Sequence, residues 1–217
     1  MPSTDPVHRI AALAEPTRRR LYDFVAGLRR PVGRDEAAEV VGVARNTAAF
    51  HLDRLVDEGL LQASHERLSG RTGPGAGRPA KLYRRTEEEI GVSLPARSYD
   101  LAGALLAAAV EESDRSGAPV RDALAVCARD AGRRIGDEAA DGADLDTVLA
   151  GQGYEPYAES GELRLANCPF HDLAQRHTAL VCGMNCDLIG GVLEGLGDAD
   201  RRARLDPAAE RCCVVVS

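Results

Sequence analysis

Residues 43–61 read VARNTAAFHLDRLVDEGLL. Ala48, Leu52, Leu55 and Val56 recur at i, i+4, i+7 and i+8, the spacing of one apolar helix face. The pattern predicts a helix over Arg45–Glu58, closed by Gly59. Its other face carries Arg45, Asn46, Thr47, Ala49, Phe50, His51 and Arg54. Those residue types suit the edges of base pairs. Arg pairs with guanine, Asn with adenine, and a small apolar side chain packs on a thymine methyl. His51 or Arg54, one turn further on, is expected at a phosphate.

The flanks agree with this reading. Upstream, Val7–Gly27 is helical, with Pro16 ending one helix and starting the next at its first turn. Leu21, Tyr22, Phe24, Val25 and Leu28 give that segment its core face. Arg34–Val41 is a short helix with Ala37, Ala38 and Val41 inward, and Gly42 suits its left-handed cap. Downstream, Leu60–Arg67 and Ala80–Arg85 read as strands around SGRTGPGAGRP, whose Gly and Pro content leaves no regular structure. Helix, helix, tight turn, helix and a hairpin with a basic tip is the winged helix-turn-helix order. Arg71, Arg78 and Lys81 of the hairpin are expected along the DNA backbone or in the minor groove.

Charge divides the chain in the same place. Up to Thr86 there are 15 Lys and Arg against 10 Asp and Glu; beyond it there are 12 against 24, within a net charge of −7. A basic head on an acidic body fits a nucleic-acid reader joined to a domain of another kind. The start, MPSTDPVHRI, has no apolar leader core, and no apolar run approaches a membrane span. A soluble cytoplasmic protein without a membrane partner is therefore expected. Three regions are expected: 1–90 for the DNA reader, 91–142 for helices, and 143–217 for a cysteine-rich domain. The middle region holds helices over Ser98–Ser116 and Pro119–Ala140. Their small-residue stripes, Leu101/Leu105/Ala108/Ala109 and Leu124/Ala128/Ala131/Ile135, suit close packing inside the subunit or across a homodimer. A dimer would read two half-sites of a pseudo-palindromic operator about 34 Å apart. The fold class is α+β, mainly α.

The last region is expected to hold a helix over Asp144–Gly151 and strands over Tyr154–Glu159 and Glu162–Asn167. A short helix through Gln175, a longer one over Thr178–Gly195 and a hairpin of Arg201–Leu205 with Arg211–Val216 follow. It carries five of the six cysteines: Cys168, Cys182, Cys186, Cys212 and Cys213, spaced C-x13-C-x3-C-x25-C-C. In a reducing compartment, clustered thiols hold metal more readily than they form structural disulfides. Cys182 and Cys186 are i and i+4 on one helix face. Strand alternation sends Cys212 and Cys213 to opposite faces, so one of the two is expected at the site. His171 and His177 are available as nitrogen ligands, and Cys127, alone in its helix, reads as a small buried apolar residue. Zinc and an iron–sulphur cluster both suit three or four convergent thiolates. A thiol-redox pair, Cys182–Cys186 or Cys212–Cys213, is the competing reading. No C-x-x-C, nucleophile elbow, H-E-x-x-H or phosphate loop occurs, so no enzyme is expected.

ALAEPTRRRLYDFV, VARNTAAFHLDRLVDEGLL and GRPAKLYR resemble the winged helix of ArsR-like bacterial regulators. NCPFHDLAQRHTALVCGMN and ERCCVVV resemble the sensor domain of SufR-type regulators. The resemblance implies a dimeric repressor of iron–sulphur assembly genes, controlled by a cysteine-held cluster, with 4Fe–4S favoured. It carries Cys168, Cys182 and one of Cys212/Cys213 over as ligands. Cys186 departs from the family spacing and leaves the fourth ligand open.

Overall fold

Asp5 accepts a hydrogen bond from Val7 N–H and opens α1 (Pro6–Ala11). A 3-10 turn, Ala12–Ala14, follows. The Glu15 carboxylate then takes the free N–H groups of Thr17 and Arg18, with Pro16 at the first position of α2 (Pro16–Ala26). β1 (Val32–Gly33), which the sequence does not announce, leads into α3 (Arg34–Val41). Gly42 ends α3 at φ 72°, a left-handed conformation that a side chain would strain. α4 (Arg45–Asp57) follows at once, then the hairpin β2 (Leu61–Glu66) and β3 (Ala80–Arg85). β3 is the central strand of an antiparallel sheet ordered β1-β3-β2. Leu21, Val25, Val32, Ala37, Ala48, Leu52, Leu55 and Tyr83 form one buried core.

The computed structural model describes residues 5–66, 79–139, 142–207 and 211–217. It divides the chain into two units, Met1–Val92 and Ser93–Ser217. The fold is α+β with two small antiparallel sheets. Among the described residues, no helix is long and apolar enough to cross a membrane.

In the second unit, Ser98 precedes α5 (Tyr99–Ser116) and Pro119 precedes α6 (Val120–Asp137). Asp144 caps α7 (Leu145–Gly151) by accepting Thr147 N–H at 2.9 Å. Then come β4 (Pro156–Glu159), β5 (Glu162–Leu165), α8 (His171–Arg176), α9 (Thr178–Gly195), β6 (Ala203–Leu205) and β7 (Val214–Val216). The sheet order is β4-β5-β7-β6.

The helices expected as a separate region over 91–142 fall inside this second unit. The reason is the crossing of α6 and α9. A Cβ built on Gly132 would lie 1.9 Å from the Leu188 carbonyl oxygen, and one on Gly191 would lie 2.0 Å from that of Arg129. Gly136 and Gly195 repeat this one turn along. Glycine lets the two backbones touch, and the helices seal one core. Leu124, Ala128 and Ala131 of the α6 stripe are buried in that core, together with Leu105 and Ala109 of α5. Arg129 pairs with Asp187 at 2.9 Å, and Arg129 and Arg133 with Glu194 at 2.7 Å, along the crossing.

Candidate functional site

The cysteines reach one another through the second sheet. β5 and β7 are antiparallel neighbours, with Leu163 opposite Val216. The end of β5 and the approach to β7 therefore lie at the same end of the sheet. Cys212 N–H donates to Leu165 O at 3.0 Å, which sets Cys212 beside the turn that carries Cys168. Cys182, just over one turn into α9, completes the arrangement.

Cys168, Cys182, Cys212 and Cys213 line one open cavity of 430 Å³, with His171, Gln175, Thr178 and Arg211 among the other walls. The four thiols act on one another electrostatically, Cys168 with Cys212, and Cys182 with both Cys213 and Cys168. Both members of the Cys212-Cys213 dipeptide thus face the same cavity. The expected alternation fails because β7 begins only at Val214, so neither residue is held in the strand pleat. Cys186 lines a different cavity, with Arg129, Gly190 and Leu193. It does not share a wall with Cys182, because one further turn of α9 carries it toward α6. Cys127 is half-buried and lines a third cavity, between α5 and α6. Among the described residues, no group of three or more His, Cys, Asp or Glu side chains stands arranged to hold a metal ion.

Electrostatics distinguish the four thiols. Pairing with Cys212 lowers the pKa of Cys168; burial opposes this, while the Phe170 backbone N–H and the charge of Arg97 add to it. The same pairing raises that of Cys212, and burial adds to the rise. Burial pushes the Cys182 thiol up to about 12, with Cys213 adding to the effect.

A buried polar chain supports Cys212. Asn185, on α9, donates from Nδ2 to Cys212 Sγ at 3.3 Å, and Val214 N–H approaches the same sulphur at 3.5 Å. The Tyr154 hydroxyl donates to Asn185 Oδ1. Burial raises the Tyr154 pKa well above its ordinary value, so the hydroxyl stays protonated as a donor. A second chain fixes the Cys168 turn. Asn167 donates to Gly153 O at 2.6 Å and Ala96 O at 3.0 Å, and it accepts from Arg97 at 2.6 Å. Ser98 N–H donates to Pro169 O at 3.1 Å. The stretch leading into α5 is thereby tied to the cysteine turn. None of these four residues, Asn185, Tyr154, Asn167 and Arg97, is singled out by the sequence reading. Asn185 carried a signal, a lone Asn in the apolar run ALVCGMNCDLIGG. The others meet partners far along the chain, and no local pattern marks them. His171 lines the cavity and bonds Gln175 through Nε2 at 2.8 Å. His177 is exposed at the start of α9 and lines no wall of the cavity.

The first unit presents α4. Asn46, Thr47 and Phe50 are exposed on its outer face, Phe50 at 66%. Ala44 precedes the helix without a side-chain cap, which leaves the first-turn N–H groups open to an anion. Arg45 pairs with Asp35 at 2.5 Å, both side chains more than half exposed. Such a pair contributes about 0–1 kcal/mol and exchanges readily for another anion. His51, Arg54 and Lys81 also have partners within the unit. His51 turns back on α2, where it accepts from Arg18 Nε at 3.5 Å and lies 3.5 Å from Glu15. Arg54 pairs with the buried Glu58 at 2.5 Å. Lys81 is tied to Asp53 at 2.7 Å, and the Tyr83 hydroxyl donates to the same oxygen at 2.7 Å. Burial and these donors, acting in opposite directions, leave Asp53 below its ordinary pKa. The hairpin tip with Arg71 and Arg78 lies outside the described residues.

No protein-family model, curated protein or solved structure matches this chain.

Proposed function

We propose that the chain is a DNA-binding transcriptional repressor whose second unit carries a thiolate-held iron–sulphur cluster. The observation that supports this reading best is the convergence of Cys168, Cys182, Cys212 and Cys213 from three separate elements on one open cavity. Four thiols are the usual donor set of such a cluster. The N–H donors aimed at Cys212, from Asn185 and Val214, suit a sulphur that carries negative charge. A bound cluster would supply redox and ligand chemistry. Zinc is the second reading for the same four residues.

In this proposal the first unit is a winged helix-turn-helix, with α3 and α4 as its pair and β2–β3 as its wing. Arg45, Asn46, Thr47 and Phe50 meet base edges, and the open first turn of α4 meets a phosphate. The subunits act as a homodimer on a pseudo-palindromic operator. Arg54, His51 and Lys81 each have a partner within their own unit and, as Arg45 exchanges its own, exchange it for a phosphate on DNA. In the second unit, ligation holds the Cys168 turn, α9 and the segment before β7 together. Asn167 and Ser98 tie that turn to the stretch leading into α5. Release of the thiols frees the turn, and with it the anchorage of that stretch.

Protein purified without oxygen is the test. Iron and sulphide in stoichiometric amounts with absorbance near about 400 nm support the cluster. Zinc without colour supports the second reading, and neither metal above trace refutes both. Cys168→Ser, Cys182→Ser, Cys212→Ser and Cys213→Ser each lower metal content, whereas Cys186→Ser and Cys127→Ser leave it unchanged. For DNA, duplexes are selected from a randomised library. Arg45→Ala then weakens binding to the selected duplex by about tenfold, and equal binding by the variant refutes the assignment of α4.

A further inference from the structure

We infer that two copies of this chain dock through α5, each α5 lying antiparallel in the groove between α5 and α6 of the other copy. The inference rests on the homodimer of the reading above and names the surface that makes it.

One side of α5 is covered within the subunit, where Ala102, Leu105 and Ala109 are buried in the core. On the other side Gly103, Ala104, Ala107, Ala108 and Val110 are exposed, Val110 at 50%. A Cβ on Gly103 would meet nothing within 4 Å, so no other part of the described chain covers the helix there. From Leu101 to Val110 the sequence LAGALLAAAV holds no polar side chain. Beside this face runs an open groove of 740 Å³ between α5 and α6, lined by Leu101, Leu105, Cys127 and Ala131 among others. A continuous apolar face next to an apolar groove marks a contact surface.

The charges at its two ends select the occupant. α5 and α6 are joined by residues 117–119 and run antiparallel, so Leu101, at the start of α5, and Arg134, near the end of α6, line the same groove. At that end Asp130 bonds Arg133 at 3.0 Å, and Arg133 reaches on to Glu194 at 2.7 Å. Arg134 is exposed, and its side chain has no partner among the described residues. At the far end of α5, Glu112 pairs with Arg115 at 2.7 Å, while Glu111 is exposed and likewise without a partner among the described residues. The helix rises about 15 Å from Leu101 to Glu111, so Glu111 and Arg134 do not meet within one subunit. A twofold axis normal to α5 sets Glu111 of each copy against Arg134 of the other, and symmetry makes the contact twice. A different protein would need the opposite charge at each end of the groove; a second copy of this chain supplies both. Gly103, Ala104 and Ala107 let the two α5 backbones approach closely. The two α5–α6 pairs then form a four-helix bundle.

The test is sedimentation velocity on the full chain over a series of concentrations at low salt. Wild type is expected to sediment as a dimer. Glu111→Arg and Arg134→Glu each set like charges against one another at both ends of the interface, and each weakens the dimer by at least about tenfold. An equimolar mixture of the two variants regains the wild-type affinity, because the mixed dimer has opposite charges at both ends. Ala108→Glu places a carboxylate on the apolar face and weakens the dimer by at least about 100-fold. All three side chains are exposed in the subunit, so far-UV circular dichroism of the variants matches wild type. A wild-type monomer overturns this inference together with the homodimer of the reading above. A wild-type dimer that all three variants leave intact overturns the α5 surface alone and leaves that homodimer standing. Single variants that weaken the dimer and are not restored by mixing overturn the antiparallel pairing of Glu111 with Arg134.

Discussion

Two glycines of α9 are expected to respond in opposite directions to one substitution. In Gly191→Ala, the new Cβ would stand 2.0 Å from the Arg129 carbonyl oxygen and 2.9 Å from Arg133 N. A Cβ tolerates nothing nearer than 3.0 Å, so α6 and α9 must separate by about 1 Å. The atoms in the way are backbone, and no side chain can rotate aside. Overpacking costs about 1–3 kcal/mol, and this site belongs at the upper end of that range. The better helix propensity of Ala returns about 1 kcal/mol, for a net loss of about 2 kcal/mol. Gly183 lies on the same helix, and a Cβ there meets nothing within 4 Å. Gly183→Ala should therefore stabilise by about 0.5–1 kcal/mol. The two variants should differ by about 3 kcal/mol, which is a shift of roughly 1–3 M in urea midpoint. Far-UV circular dichroism during urea unfolding measures it. A Gly191→Ala midpoint equal to or above that of Gly183→Ala would refute the close crossing of α6 and α9.

Glu194 offers a pH test. Hydrogen bonds from Arg133 and Arg129 hold its pKa below the ordinary value, against burial. A carboxylate depressed by folding contributes stability that is present above its unfolded pKa, about 4.3, and is lost as pH falls through the folded value. Glu194→Gln should thus be less stable than wild type at pH 7, and the gap should close in urea melts below about pH 4; a gap that persists there would refute the assignment. Asn185→Leu removes the 3.3 Å donor to Cys212 and should weaken metal binding about 10–100-fold in competition with a chromophoric chelator, without changing stoichiometry. Unchanged affinity would show that the Asn185 bond does not support the site.

Much of the local structure was legible in the sequence. Apolar spacing gives α3 and α4, with Gly42 as the stop between them, and Pro16 marks the start of α2. The start of α7 follows from Asp144 and that of α6 from Pro119. These features depend on neighbours within one turn, where side-chain spacing and caps act. β1 was not legible, because two residues carry no periodicity and pair only with β3.

The sequence by itself determined that five thiols crowd into one end of the chain and that an Arg-Asn-Thr helix stands at the other. Only the tertiary structure decided which thiols meet. Cys168 and Cys212 are joined by the pairing of β5 with β7, and such long-range contacts follow from sheet register, which spacing along the chain does not encode. The same holds for Cys186, set apart by one turn of a helix pressed against α6. It holds also for His51 and Lys81, whose partners Glu15 and Asp53 are brought close by packing. A side chain's type is local information; its partner is fixed only when the core closes around it.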